Sequence, residues 1–258
     1  MNDILTKIAL NKRIEVENLK IERPLDRIRV EPQPEAEFAF RRALSKPGIN
    51  IIAELKKGSP SRGVLREDFD VPLLARQYRE GGAAALSVLT DRRYFFGRPE
   101  YLAEAGRAAR LPVLCKEFII DRWQLHFART MQADAVLLIA ALLSQPVLAD
   151  FIAEAESIGL DCLVEVHSEN EVIAAIDAGA RMIGVNNRNL KTFEVSLTTS
   201  ERLAGLIPGG CIKVAESGIF SHDDIFRLQR HGYNCFLIGE SLVTSDDPVA
   251  LLRSLRGV

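Results

Sequence analysis

Residues 161–187 read DCLVEVHSENEVIAAIDAGARMIGVNN, and this stretch sets the pattern for the whole chain. A short apolar run, 161–166, comes first and a second one, 181–185, comes last. Between them, Ser168 and Glu171 have the spacing of a capping box at a helix start, and a glycine stands where that helix should end. The stretch therefore predicts a strand, a helix and a second strand.

The same alternation extends in both directions along the chain. The apolar runs are 49–55, 83–89, 112–116, 134–139, 161–166, 181–185, 211–215 and 234–239. Because these runs lack strict polar alternation, they fit parallel strands covered by helices. Eight such units form either an open doubly wound sheet or a closed barrel. The count of eight and the absence of a Gly-x-Gly-x-x-Gly fingerprint or a Walker A loop favour an α/β fold of the (β/α)8 TIM-barrel type.

Residues 1–48 have a different character, and we expect a helical extension there, joined to a barrel of residues 49–258 in a single domain. An amphipathic helix is predicted from Asp3 to about Lys20, and a second helical stretch is predicted over residues 35–44. Candidate contact residues of the first helix are Ile4, Leu5, Ile8 and Val16. The intervening segment contains Pro24, Pro32 and Pro34.

The bulk composition excludes several classes of protein. The chain has 258 residues, 47% of them hydrophobic, and a formal net charge of −2, which provides no basic face for a nucleic acid. The longest apolar run, 135–143, is nine residues, about half of a membrane span. Charged residues break up the N-terminus, so no signal peptide is predicted. We expect a cytoplasmic monomer without a membrane partner.

The cysteines and histidines give no sign of a metal site. None of the four cysteines forms a Cys-x-x-Cys pair, and each lies in an apolar run, as expected of buried reduced thiols: Cys115, Cys162, Cys211 and Cys235. The four histidines are scattered without metal-ligand spacing. Neither a metal nor a cofactor is expected.

Charged or amide side chains occur at the same end of five predicted strands. They are Glu54 and Lys56, Lys116, Glu165, Asn186 with Arg188, and Glu216. Chemistry in a (β/α)8 barrel takes place at the carboxyl ends of the strands, which favours an active site over ordinary surface charges. Strand alternation puts Glu54 and Lys56 on the face that looks into the barrel, and it points Lys57 outward. The carboxylates and cations balance, so acid and base can be separated by environment.

Small residues after the last two strands indicate a phosphate-binding site. Ser217 and Gly218 precede a helix predicted to start near Ser221, and Gly239 and Glu240 follow the eighth strand. Exposed backbone N–H groups at these loops are the usual phosphate position in such barrels. The carboxylate of Glu240 suits an anion site only if it points away.

Seven blocks of sequence resemble the indole-3-glycerol-phosphate synthase family, in the same order and over essentially the whole length. They are AELKKGSPS (53–61), REDFD (66–70), SVLTD (87–91), LCKEFI (114–119), LVEVH (163–167), IGVNNRNL (183–190) and AESGI (215–219). The resemblance implies a cofactor-free carboxy-lyase of tryptophan biosynthesis. Its phosphorylated small-molecule substrate is 1-(2-carboxyphenylamino)-1-deoxyribulose 5-phosphate, and its products are indole-3-glycerol phosphate, carbon dioxide and water.

The resemblance also implies roles for individual residues. Lys116 is the expected general acid, Glu165 the base or electrostatic partner, and Lys56 the cation that holds the anthranilate carboxylate. Substrate and lysines are oriented by Glu54, Asn186, Arg188, Glu216 and Ser217. Further substrate contacts are expected from Ser59, Phe118, Gly218, Gly239 and Glu240.

Three other functions stay open on the sequence. One is a Schiff-base aldolase with Lys116 or Lys56 as nucleophile. Another is a sugar-phosphate isomerase, which would release no carbon dioxide. The third is a non-catalytic phosphate-binding barrel, which the full charged set argues against.

Overall fold

Eight parallel strands close into a barrel in the computed structural model, which describes residues 4–28, 30, 38–189 and 192–258. Each strand pairs with its neighbours in sequence, and the first also pairs with the last. The strands are β1 Asn50–Leu55, β2 Ala85–Leu89, β3 Val113–Lys116, β4 Ala135–Ile139, β5 Asp161–Val166, β6 Met182–Asn186, β7 Ile212–Glu216 and β8 Cys235–Ile238. The predicted barrel and all eight runs are confirmed, with ends shifted by one or two residues.

Helices alternate with the strands and cover the outside of the barrel, and two further helices precede the first strand. They are α1 Ile4–Glu22, α2 Ala39–Leu44, α3 Val71–Glu80, α4 Arg92–Phe95, α5 Glu100–Ala109, α6 Arg122–Thr130, α7 Gln145–Ser157, α8 Glu169–Asp177, α9 Thr198–Ala204, α10 His222–Gln229, α11 Glu240–Val243 and α12 Pro248–Arg256. Short 3-10 turns occur at Leu25–Arg27 and Ala140–Leu142. A two-stranded ribbon that the sequence did not predict pairs Gly58–Ser59 with Gly63–Val64.

The predicted caps explain where several helices begin. Asp121 and Ser221 both form complete capping boxes, in which the side chain at the third helical position returns to the backbone of the cap residue. The box predicted at Ser168 differs. Its hydroxyl accepts from the Glu171 N–H, but the Glu171 carboxylate accepts from the N–H of His167 instead.

The interior of the barrel is packed in layers, because side chains from alternate strands reach the same height. One apolar layer comes from the odd strands and contains Ile52, Leu114, Leu163 and Val214. Two residues further along each of those strands stand Glu54, Lys116, Glu165 and Glu216. The layer nearest the carboxyl ends is therefore charged, and the barrel core below it is apolar.

Helix α2 closes the opposite end of the barrel. Phe40 and Leu44 are buried against the interior cluster that includes Ile52. Asp161 at the start of β5 accepts a hydrogen bond from the Arg41 N–H, which fixes the helix on the barrel floor. The helix had been expected over residues 35–44; residues 35–37, like Pro32 and Pro34, lie outside the described residues, and the helix itself begins at Ala39.

Helix α1 lies on the side of the barrel mouth and is held there by a buried cation. Ile8 and Val16 are buried, as predicted, and Lys12 lies on the same helical face with only 2% of its surface exposed. Its ammonium lies 2.9 Å from Asp91 Oδ2 and 3.0 Å from Glu117 Oε1. Burial alone would lower the pKa of Lys12, but these two carboxylates more than offset that effect and raise it.

We expect Lys12→Met to lower the free energy of unfolding by about 3 kcal/mol, because the buried carboxylates of Asp91 and Glu117 lose their cation. Urea denaturation measures this change. Lys20→Met on the same helix is the matched control. The Lys20 side chain is 35% exposed and pairs with Asp121 near the surface, so its loss should cost less than about 1 kcal/mol. Equal losses in the two variants would contradict the role given to Lys12.

Candidate active site

The charged residues predicted from the strand ends meet in one cavity at the mouth of the barrel. Its walls include Glu54, Lys56, Lys116, Glu165, Asn186, Arg188 and Glu216. Side chains of the four odd-numbered strands supply most of this charge, since they occupy the top interior layer. Lys56 and Lys116 therefore share one cavity, as the strand register predicted.

Lys116 lies between two carboxylates. Its Nζ donates to Glu216 Oε2 at 2.5 Å and to Glu165 Oε2 at 3.3 Å. Burial by itself would lower the pKa of Lys116, but the nearby carboxylates of Glu216, Glu165 and Glu54 raise it. The side chain is consequently held as an ammonium.

The two carboxylates around Lys116 have different environments. Burial would raise the pKa of Glu165, but Lys116, His167 and a hydrogen bond from Asn186 Nδ2 at 3.2 Å lower it. Glu216 faces the same ammonium without those other donors. Burial, together with the charge of Glu165, raises the pKa of Glu216 to about 7. Its Oε1 is buried and makes no hydrogen bond with the described residues. Glu165 is thus the more readily ionised of the two carboxyls, and Glu216 is the more readily protonated.

Glu54 and Lys56 form the second charged pair of the cavity. Lys56 Nζ lies 2.9 Å from Glu54 Oε1. Burial would raise the pKa of Glu54, but the charges of Lys56 and Lys116 lower it. Lys56 lines the cavity, whereas Lys57 is not among the described residues that do. The predicted position of Lys56 at the mouth of the barrel is confirmed.

Two glycines leave space for the buried carboxylates. A Cβ added at Gly184 would overlap the carboxylate of Glu216, and one added at Gly239 would overlap that of Glu54. Gly239 was predicted as a substrate-binding residue; in the structure it lines the cavity and also accommodates Glu54.

Glu240 lines the cavity, but its carboxylate is paired with two arginines. Its carboxylate lies 2.8 Å from an Arg62 nitrogen and 3.5 Å from an Arg188 nitrogen. The sequence predicts that this carboxylate suits a phosphate site only if it points away. In the structure, the two guanidinium groups neutralise its charge instead. The Arg188 N–H also donates to Asn186 Oδ1 at 3.0 Å, which fixes the loop after β6.

Small and polar residues of the cavity wall follow β1, β7 and β8. They are Ser59, Ser217, Gly218 and Ser241, and the Ser59 and Ser241 hydroxyls are buried without a hydrogen bond to the described residues. Ser217 and Gly218 have φ of 65° and 75°, which turns the chain sharply after β7. In the loops after β2 and β3, the predicted residue Phe118 lies beside Phe95, with ring centroids 5.9 Å apart, and both line the cavity.

Several cavity neighbours were not recognised as site residues from the sequence. His167 lies 3.4 Å from Glu165, and Glu117 holds the helix that contributes Ile4, Leu5 and Ile8 to the wall. The buried position of Lys12 could have been predicted from the sequence. A lysine four residues from both Ile8 and Val16 lies on the buried face of an amphipathic helix, where it needs an acidic partner.

Other sequence expectations concern features away from the cavity. All four cysteines are free, with Cys115, Cys162 and Cys235 buried, whereas Cys211 is only half-buried. No helix in the described part of the chain is long and apolar enough to cross a bilayer.

Comparison with known proteins places the chain in a family. A sequence model described as indole-3-glycerol phosphate synthase matches residues 5–255. The chain belongs to the indole-3-glycerol phosphate synthase family. A synthase of this name from Ruminiclostridium cellulolyticum is 46% identical over 98% of this chain and 99% of its own length. One from Aromatoleum aromaticum is 45% identical over the full length of both chains, and one from Chlorobium phaeovibrioides is 48% identical over 97% of each.

The activity follows from membership of this family. The protein is a carboxy-lyase of tryptophan biosynthesis that closes the indole ring of 1-(2-carboxyphenylamino)-1-deoxyribulose 5-phosphate and releases carbon dioxide and water. The aldolase, isomerase and non-catalytic alternatives are thereby set aside.

More distant solved structures share the fold alone. A 3-hexulose-6-phosphate synthase superposes with a TM-score of 0.63 at 13% identity, over 81% of this chain and 99% of its own. Thiamine phosphate pyrophosphorylase from Pyrococcus furiosus gives 0.59 at 16% identity, over 81% of this chain and 94% of its own.

Proposed function

We propose that the charged layer at the barrel mouth carries the proton transfers of the indole-3-glycerol phosphate synthase reaction, with Lys116 as general acid. The observation that carries this proposal is the position of the Lys116 ammonium, buried between Glu165 and Glu216 in the cavity. As the aromatic carbon attacks the substrate carbonyl, the ammonium protonates the carbonyl oxygen. The negative charge that develops there is then neutralised in a site that excludes bulk water.

Glu165 serves as the base. When the ring closes and carbon dioxide leaves, the electron pair of the broken bond returns to the ring. Water is then lost, and a proton leaves the carbon beside the nitrogen. An ionised carboxylate in the cavity wall can take that proton, and Glu165 is kept ionised by Lys116, His167 and Asn186.

Lys56 holds the anthranilate carboxylate, and Glu54 orients Lys56. The ion pair between them supports this assignment, because it aims the ammonium into the cavity. The aromatic rings of Phe118 and Phe95 provide an apolar wall for the anthranilate ring. Fixing both ends of one molecule brings the reacting carbons together, which is largely an effect of proximity.

The phosphate lies near the loops after β7 and β8. Ser217, Gly218, Gly239 and the N–H groups of these loops supply donors, and the unpaired hydroxyl of Ser59 supplies another. Asn186 and Arg188 orient the substrate, and Glu240 positions the Arg188 guanidinium beside it.

The direct test is a fluorescence assay for the indole product with synthetic 1-(2-carboxyphenylamino)-1-deoxyribulose 5-phosphate. We expect turnover together with release of carbon dioxide, and no covalent adduct after borohydride treatment. A trapped adduct would instead identify a lysine as nucleophile.

Replacing each of the two neighbouring lysines tests the role of Lys56. We expect Lys56→Ala to raise KM and lower kcat/KM by about 10²-fold, since an ionic contact to the substrate carboxylate is lost. Lys57→Ala is the matched control, and its kinetics should stay within about twofold of the wild type. A larger effect at Lys57 than at Lys56 would show that the wrong lysine has been assigned to the substrate.

We further propose that residues 1–258 act as one domain, as a cytoplasmic monomer. Helix α1 supports the first point, because Lys12 ties it to Asp91 and Glu117 of the barrel. Four free cysteines are usual in a reducing compartment. Light scattering after size-exclusion chromatography tests the monomer, and limited proteolysis tests the single domain.

A further inference from the structure

The proton balance of the reaction requires a supply from solvent, given the proposed roles of Lys116 and Glu165. The carbonyl oxygen of the substrate leaves as water and takes up two protons on the way. One of these two protons is balanced by the proton that the substrate carbon beside the nitrogen releases. The other must come from the medium, because a carboxylate enters the reaction and neutral carbon dioxide leaves. Each turnover therefore brings one proton into a buried site.

A continuous series of titratable groups runs from Lys116 away from the substrate cavity. Glu165 Oε2 lies 3.3 Å from Lys116 Nζ, and its other oxygen, Oε1, lies 3.4 Å from His167 Nε2. The second ring nitrogen, Nδ1, lies 3.3 Å from Glu171 Oε2. The two nitrogens of one imidazole thus contact a carboxylate on the active-site side and another on the far side.

Local structure fixes the imidazole in this position. His167 directly follows β5, and its backbone N–H donates to the Glu171 carboxylate at 2.8 Å. The same carboxylate accepts from the Ser168 hydroxyl at 2.9 Å. This is the modified cap of α8, and it explains why Glu171 reaches past Ser168 to His167. The Nε2 atom is buried and makes no hydrogen bond with the described residues, and Glu165 Oε1 lies 3.4 Å from it.

The far side of the imidazole opens into a second cavity. His167, Glu171, Leu142, Asn187 and Arg202 are among its walls. Asn186 and Arg188 line both this cavity and the substrate cavity. His167 therefore lines the second cavity and lies against Glu165 of the substrate cavity, and the side chains of His167 and Glu171 are 16% and 24% exposed.

We propose that His167, held by Glu171, relays a proton from the second cavity through Glu165 to Lys116. The imidazolium releases its Nε2 proton to Glu165, which passes a proton to the neutral amine that Lys116 becomes after donation. The ring is then neutral, with its remaining proton on Nδ1 facing Glu171, and water from the second cavity returns a proton to Nε2. An imidazole can release and regain a proton near neutral pH because its ordinary pKa lies in that range.

The charges around His167 favour this function. Burial would lower the pKa of its imidazole, but Glu171, Glu165 and Glu216 face it from α8, β5 and β7 and raise the pKa above its ordinary value. The ring is therefore protonated over more of the neutral range than a free histidine. It should lose that proton, and the relay with it, as the pH rises through the raised pKa.

The test compares His167→Gln with His126→Gln. His126 pairs with Glu154 at 2.7 Å on the outer helices and is the matched control. We expect His167→Gln to lower kcat about 10- to 100-fold at about pH 7, with KM within about twofold, and the control to match the wild type. In Glu171→Gln, the imidazole loses a charged partner that raises its pKa. The alkaline limb of the profile of kcat against pH should therefore move to lower pH.

A second variant separates proton relay from a structural effect. In His167→Ala, added imidazole should restore kcat in proportion to its protonated form, since the space of the ring lies beside the second cavity. Unchanged kcat and pH profile in His167→Gln would overturn the relay. A loss that imidazole does not restore, or one seen only in KM, would also overturn it.

The relay and the proposed roles can fail separately. If Glu165→Gln loses activity while His167→Gln does not, the base assignment stands and the relay is wrong. If Glu165→Gln remains fully active, the proposed role of Glu165 fails, and the relay fails with it.

Discussion

Lys116→Ala is expected to lower kcat by about 10²–10⁴-fold while the barrel stays folded, because the reaction loses its general acid but keeps its binding contacts. The apolar layers below the charged one do not involve Lys116. Glu216 can take up a proton in the variant, since burial already raises its pKa to about 7, so an uncompensated charge is avoided. Indole fluorescence measures turnover, and circular dichroism with urea denaturation checks the fold.

Lys116→Arg separates the charge of Lys116 from its proton. A guanidinium retains the positive charge between Glu165 and Glu216 but does not give up a proton in a protein. We expect kcat of this variant to stay within about tenfold of the alanine variant. Near-wild-type turnover in Lys116→Arg would mean that Lys116 acts by charge alone.

Glu165→Gln is expected to lower kcat by about 10²-fold or more, because the amide keeps the shape and the hydrogen bond with Asn186 but cannot accept a proton. KM should change less than kcat, since the loss arises in the proton transfers rather than in substrate binding. Steady-state kinetics over a range of substrate concentrations gives both values.

Glu216→Gln is the matched comparison, and its effect depends on pH. A raised pKa of about 7 means that Glu216 is mostly protonated below that pH and mostly ionised above it. The amide resembles the protonated carboxyl. The variant should therefore approach wild-type kcat at about pH 6 and diverge from it as the pH rises through about 7. An equal loss of kcat in Glu165→Gln and Glu216→Gln at about pH 6 would show that the two carboxylates have been assigned the wrong protonation states.

Local sequence was enough to predict the barrel and the composition of its mouth. The strand–helix period is set by apolar runs and by caps such as Asp121 and Ser221, which act over a few residues. Strand alternation then predicted that Glu54 and Lys56 face inward and that Lys57 does not. The same rule on other strands supplied Lys116, Glu165 and Glu216, because every strand of a parallel barrel presents its carboxyl end to the same rim.

What the sequence by itself determined is thus which side chains reach the mouth of the barrel. Only the tertiary structure decided which of them touch: that Lys116 lies between Glu165 and Glu216, that two arginines neutralise Glu240, and that Lys12 anchors α1 to Asp91. The physical reason is the distance along the chain over which each kind of interaction acts. Alternation and capping depend on neighbours in the chain, whereas the pKa of Glu216 depends on charges 51 and 100 residues away that folding brings within a few ångströms.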